Sequence, residues 1–149
     1  KTIQLETPGT FREIDEPEPK RLSSEALVRV HRIGVCGTDI HAFHGRQPFF
    51  EYPRILGHEL GVEILEVDQN EQNLQAGDRC SVEPYMNDVD SPASRSGKTN
   101  CCESLNVIGV HSDGGMRPLI TVPVHKLHKS NSLSFEQLAL IETICIGAH

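Results

Sequence analysis

The chain predicts a mainly β, barrel-like fold with a few short helices, and three observations lead there. Its apolar stretches are short, rich in Val, Ile and Leu, and spaced at partial two-residue alternation. Gly and Pro interrupt them at close intervals. Helical signals are confined to two places. At 149 residues the chain has the size of one ordinary domain, 1–149, large enough to bury about two-thirds of the surface that its unfolded form exposes. No internal repeat or low-complexity tract is evident.

The elements follow in order. Glu25 to Val35 alternates as a strand. Thr38 or Asp39 is then placed to cap a short helix ending at Gly45, which would raise His41 and His44 near Cys36. Leu60 to Val67 is a second strand, and the turn Ala76-Gly77-Asp78-Arg79 delivers a third, Cys80 to Val82. From Glu83 to Asn100 the composition changes to Asn, Asp, Ser, Pro, Gly and Lys, the signature of a long surface loop. Pro-flanked segments around Leu119 to Val124 suggest short or edge strands. A second helix starts at Ser134, which makes a capping-box spacing with Gln137. Phe135, Leu138, Ala139 and Glu142 recur on one face of it, so a carboxylate falls among apolar residues. A buried carboxylate requires a partner: a metal, a nearby base, or exposure at a frayed end.

Bulk properties exclude several classes. A formal net charge of -7 without a Lys/Arg cluster disfavours nucleic acid and anionic membranes as partners. No apolar run approaches the roughly 20 residues that span a bilayer, and the first residues lack the apolar core of a signal peptide. Five cysteines (Cys36, Cys80, Cys101, Cys102, Cys145) form an odd set with two adjacent, which points to free thiols in a cytoplasmic setting. Both ends read as cut: the chain lacks an initiator methionine and stops at His149 without turn chemistry.

Chemistry concentrates in Gly34-Val35-Cys36-Gly37-Thr38-Asp39-Ile40-His41 and Leu56-Gly57-His58-Glu59-Leu60-Gly61. Together they offer a thiolate, an imidazole and a carboxylate, without the Cys-x-x-Cys pairs of a closed zinc finger. Such a set suits a metal that keeps an open position for chemistry. Thr38, Asp39 and Glu59 supply the hydroxyl and carboxylates that metal ligands need beside them. Taken singly, Cys36 is as easily a buried strand-end thiol, His58 a turn histidine bonded to a carbonyl, and His41 a residue of a solvated helix face. His31, His44, His111, His125, His128 and His149 are read as structural or solvated. Phe49, Phe50 and Tyr52 either line a pocket or pack as a satellite cluster.

These two stretches, with Gly77-Asp78-Arg79, Gly109-Val110-His111-Ser112-Asp113-Gly114-Gly115 and Ile141-Glu142-Thr143, resemble the medium-chain zinc-dependent alcohol and polyol dehydrogenases over almost the whole chain. Gln47 to Arg54 looks most like the sugar-alcohol and sugar-acid members, of the sorbitol and galactonate type. The resemblance implies a GroES-like partly open β-barrel. It implies one catalytic zinc on Cys36 and His58, with Glu59 and Glu142 as direct or exchanging carboxylates. It further implies that Thr38 takes the alcohol proton, that His41 passes it to solvent, and that Asp39 orients a ligand. Zinc would polarise the alcohol while a hydride leaves for NAD or NADP.

Three departures qualify the match. Family members often carry a structural zinc on Cys-x2-Cys-x2-Cys-x7-Cys. That pattern falls here on Asp88, Ser91, Ser94 and Cys102, so no structural zinc is expected, although Gly97-Lys98-Thr99-Asn100 persists. Thr143 stands where relatives often have proline, a change that loosens the helix and leaves the carboxylate. No Gly-x-Gly-x-x-Gly is present, so nicotinamide binding and hydride transfer require a further domain of about 150 residues or more. A small alcohol or sugar substrate and a homo-oligomeric full-length protein are the expected partners. The alternative is a non-catalytic metal-binding or assembly module on the same barrel, which would have no need of Thr38 and His41.

Overall fold

Strand alternation builds the barrel. In the computed structural model, which describes residues 1–48 and 50–149, five antiparallel strands form one curled sheet. They are β3 (Glu25–Ile33), β4 (Leu60–Glu66), β5 (Arg79–Val82), β8 (Leu119–Pro123) and β9 (Leu127–Lys129), in the order β8-β3-β4-β5-β9. Strand β3 turns Ala26 and Val28 inward and Arg29 outward, and β4 opposes it with Val62 and Ile64. Register shifts between Leu27 and Val28 and between Val30 and Arg32 bend this central pair, as bulges do. The core that results contains Ala26, Val28, Leu60, Val62, Ile64, Leu74, Cys80, Val82, Ile120, Val122 and Leu127. Truncating one of its leucines or isoleucines to Ala would cost about 2–5 kcal/mol.

The first expected strand ends at Ile33 rather than Val35. There the Gly34 N–H donates to the Glu59 carbonyl at 2.8 Å, and Val35 turns out to solvent. The expected helix follows as α1 (Gly37–Phe43), but its N-cap is Cys36, not Thr38 or Asp39. Asp39 occupies the third helical position and accepts the Cys36 N–H at 2.9 Å. Gly45 closes α1 with a positive φ, as its position in the sequence implies.

One hairpin was not evident from alternation. Strands β1 (Thr2–Thr7) and β2 (Thr10–Ile14) pair with each other and expose most of their residues. They are held by Leu5, fully buried, and by exchange of backbone hydrogen bonds between Leu5 and Arg54 at 2.8 and 3.0 Å. Leu5, Ala42 and Leu56 make a second small core, against which Phe50 and Tyr52 pack. Tyr52 donates to the Ala42 carbonyl at 2.6 Å, so these two aromatics form the satellite cluster. Phe49 lies outside the described residues.

The segment expected as a long loop is a folded lobe. It holds β6 (Tyr85–Met86), which pairs with β7 (Asn106–Val107), a short helix α2 (Pro92–Arg95) and a 3-10 turn (Thr99–Cys101). Polar composition misled because the lobe is ordered by hydrogen bonds rather than by an apolar stripe. Lys126, buried, donates to Glu83 at 2.5 Å and to Asn87 Oδ1 at 2.9 Å. Asn87 Nδ2 donates to Ser94 Oγ at 2.9 Å, and Ser91 Oγ donates to the same oxygen at 2.9 Å. The Asp88 N–H donates to Cys102 Sγ at 3.4 Å. Hydrogen bonds with Ser104 and Ser91 draw the Cys102 thiol down to about 7. Asp88, Ser91, Ser94 and Cys102, the positions of the family's structural zinc, thus belong to one hydrogen-bonded cluster.

Ser134 caps the last helical region as its spacing implies, exchanging hydrogen bonds with Gln137 at 2.9 and 3.3 Å. One expected helix is in fact two, α3 (Phe135–Ala139) and α4 (Ile141–Ala148), broken at Leu140. A Cβ at Gly61 would collide with the Phe135 carbonyl, so glycine in β4 lets α3 lie directly on the sheet. This docking fixes where α4 begins, with Glu142 buried. Among the described residues, no helix is long and apolar enough to cross a membrane.

The Lys126–Glu83 pair predicts a pH signature. Hydrogen bonds from His128 and Lys126 hold the Glu83 carboxyl down to about 2, from an ordinary 4.5. A depressed carboxyl stabilises the fold above its unfolded value and loses that effect as pH falls toward its folded value. Glu83→Gln should therefore lower stability at pH 7 by about 2 kcal/mol, less than a fully buried pair because Glu83 is part-exposed. In urea melts the gap to wild type should narrow between pH 4.5 and pH 2. A constant gap would contradict the assignment.

Candidate metal centre

Three side chains from two turns converge where β3 and β4 leave the barrel. One potential ligand atom from each of Cys36, His58 and Glu59 lies within 4.8 Å of the other two. Cys36 is half-buried at the N-cap of α1, while His58 and Glu59 are buried on the approach to β4. Residues brought this close in a low-dielectric space would repel or orphan one another unless something links them. Of three buried side-chain atoms without a hydrogen-bond partner among the described residues, two, His58 Nδ1 and Thr38 Oγ1, are on these turns, and the third is Arg54 Nε.

Asp39 explains part of the arrangement. Its Oδ2 accepts the Cys36 N–H, and its Oδ1 lies 3.9 Å from His58 Nδ1, too far for a hydrogen bond. Burial pushes the Asp39 carboxyl above its ordinary range, opposed by the Cys36 N–H and the nearby imidazole. Glu59 is positioned from two sides. Its carboxylate packs directly over Gly34, and its Oε1 accepts a hydrogen bond from Thr143 Oγ1 at 2.9 Å.

Glu142 is buried as the helical periodicity implies, but it is outside the three-residue cluster. Its partner is the Tyr85 hydroxyl, which donates to Oε1 at 2.7 Å. Burial, then the bond to Glu142, raises the Tyr85 hydroxyl above its usual range, with Cys36 and Glu59 close enough to add to the effect. Thr38 is half-buried with its hydroxyl inward, and His41 is exposed in the last turn of α1. The histidines read as structural include three with clear partners. His31 stacks on Phe135 and bonds Glu63, His111 accepts the Val107 N–H, and His128 contacts Glu83.

Sequence reasoning missed Tyr85 and the role of Thr143. Tyr85 carried no signal, being a lone aromatic in a polar tract. Thr143 was visible as a departure, yet α4 forms normally and the hydroxyl adds a bond that proline lacks.

A thiolate, an imidazole and a carboxylate with unpartnered polar atoms beside them fit Zn²⁺, which takes S, N and O ligands in a tetrahedral set. Comparisons with known proteins agree with that chemistry. Residues 23–132 match the family described as Alcohol dehydrogenase GroES-like domain. L-galactonate-5-dehydrogenase of Escherichia coli K12 is 46% identical over 126 residues, covering 85% of this chain and 37% of that protein. An uncharacterized zinc-type alcohol dehydrogenase-like protein of Haemophilus influenzae is 40% identical, covering 100% of this chain and 44% of its own length. The crystal structure of galactitol-1-phosphate dehydrogenase from Escherichia coli superposes with a TM-score of 0.91 at 26% identity, over 99% of this chain and 43% of that one. The chain thus spans less than half the length of each of these relatives.

Gly34 gives this geometry a direct test. Any Cβ there would overlap the Glu59 carboxylate and its Cβ. Gly34→Ala should displace Glu59 and destabilise the fold by about 1–3 kcal/mol, as overpacking does. Chemical denaturation of the metal-free protein reads it, and an unchanged midpoint would contradict the packing.

Proposed function

The chain belongs to the alcohol dehydrogenase GroES-like domain family, and from that premise we propose that it is the zinc-binding catalytic domain of an NAD(P)-dependent dehydrogenase. Its substrate class is a secondary alcohol of a polyol or sugar acid. The convergence of Cys36, His58 and Glu59 within 4.8 Å carries the reading. The substrate class is supported by relatives named for L-galactonate and galactitol 1-phosphate.

In this reading Cys36, His58 and Glu59 would hold one zinc, with Glu142 as the exchanging carboxylate. The bound metal would supply Lewis-acid polarisation of the substrate hydroxyl. Thr38 has a buried hydroxyl without a partner, which suits it to accept the proton of that alcohol while passing its own on toward His41. His41, exposed one turn further along α1, exchanges the proton with water. Asp39 Oδ1, 3.9 Å from His58 Nδ1, would orient the imidazole by its charge rather than by a hydrogen bond. The sequence has no Gly-x-Gly-x-x-Gly, so the nicotinamide would sit on a separate dinucleotide-binding domain. A cytoplasmic setting, where thiols stay reduced, suits Cys36 as a ligand.

Zinc content per chain tests this directly. Elemental analysis should find about one zinc in wild type, with loss in Cys36→Ser and His58→Ala and a reduction in Glu142→Ala. Circular dichroism should show all three variants folded, because none of the three residues belongs to the hydrophobic core. About two zincs would place a second metal in the lobe around Cys102. No zinc after reconstitution would overturn the reading and favour an assembly module.

A further inference from the structure

The first turn of α4 touches the site twice. Thr143 Oγ1 donates to Glu59 Oε1 at 2.9 Å, and one residue earlier Glu142 Oε1 accepts from Tyr85 at 2.7 Å. Each of the two acidic side chains is therefore engaged by one hydroxyl. Glu59 stands inside the group of potential ligand atoms and Glu142 outside it. Glu59 has few alternatives to Thr143. Gly34 closes one side of its carboxylate, and among the described residues no other side chain hydrogen-bonds to it. Thr143 is otherwise solvent-facing, and neither helix packing nor capping gives its hydroxyl a use.

We propose that Thr143 is a positioning residue that holds the Glu59 carboxylate in the metal-ligand set. The proposal rests on the metal-centre reading above. A carboxylate with a free χ3 can rotate its oxygens away from a partner at little cost, and one donor bond removes that freedom. Because the donor belongs to α4, docking of that helix on the barrel and shaping of the metal set become one event. Loss of the hydroxyl would leave Glu59 present but unaimed, and Glu142 could replace it only by giving up its bond to Tyr85.

Competition between the chain and a chromophoric chelator for Zn²⁺ tests this without turnover. Thr143→Val should weaken zinc binding about tenfold or more, in the range for groups that orient a ligand. Thr143→Ser should restore it, and in a Glu59→Gln background Thr143→Val should change nothing further. Thermal unfolding of the metal-free variants checks that each is folded, and Thr143→Ala substitutes should valine disturb the helix. Equal affinity of wild type and Thr143→Val, or the same loss in the Glu59→Gln background, overturns the positioning role and leaves the metal centre standing. A wild type that takes up no zinc overturns both.

Discussion

Asp39, His58 and Glu59 are buried side by side at 5, 5 and 6% exposure, and the arrangement of the surrounding elements follows from satisfying them. Ionisable groups removed from water cost several kcal/mol each unless they are paired, hydrogen-bonded or bound to a metal. The chain supplies one partner locally and one from a distant part of the sequence. Cys36 N–H meets Asp39 from the start of α1, and Thr143 meets Glu59 from the start of α4. Those helices are held in place by the barrel, through the β3–β4 ladder on one side and the α3 contact at Gly61 on the other. Two of the buried atoms left without a partner among the described residues, His58 Nδ1 and Thr38 Oγ1, lie in this site.

Much of this was legible in the residues. Val, Ile and Leu at alternate positions marked β3 and β4, and the Ser134–Gln137 spacing marked the start of α3. Cys36, His58 and Glu59 stood out by residue type and by their Gly-flanked turns, and the fold brings them together. The β1–β2 hairpin was not legible because its residues are mostly exposed and its stability comes from a single buried leucine and from backbone pairing with Arg54. Helix α4 was merged with α3 because periodicity does not register a break that keeps the same face inward. Glu142 landed on that face correctly, but its partner across the site, Tyr85, is 57 residues away in sequence and no local pattern announces it.

In the lobe, ordinary hydrogen bonds join the positions where the family pattern places cysteines. Of the four positions where the family pattern places cysteines, this chain keeps Cys102 and has Asp88, Ser91 and Ser94 at the others. Serine is a poor zinc ligand but a good hydrogen-bond partner in both directions. Ser91 and Ser94 bond each other, Asn87 joins them, and buried Lys126 ties Asn87 and Glu83 to the barrel beside β9. The lobe also carries Tyr85 and so reaches the site. Its anchoring therefore bears on Glu142 as well as on its own order.

X-ray absorption at the zinc edge of the metal-loaded chain tests the central claim most directly, because it identifies ligand types without any need for turnover. The account predicts one sulfur near 2.3 Å, from Cys36, with nitrogen and oxygen neighbours at about 2.0–2.2 Å. Two or more sulfurs would mean that zinc had gone to Cys101, Cys102 or Cys145. A shell without sulfur would remove Cys36, and either result would contradict the site described.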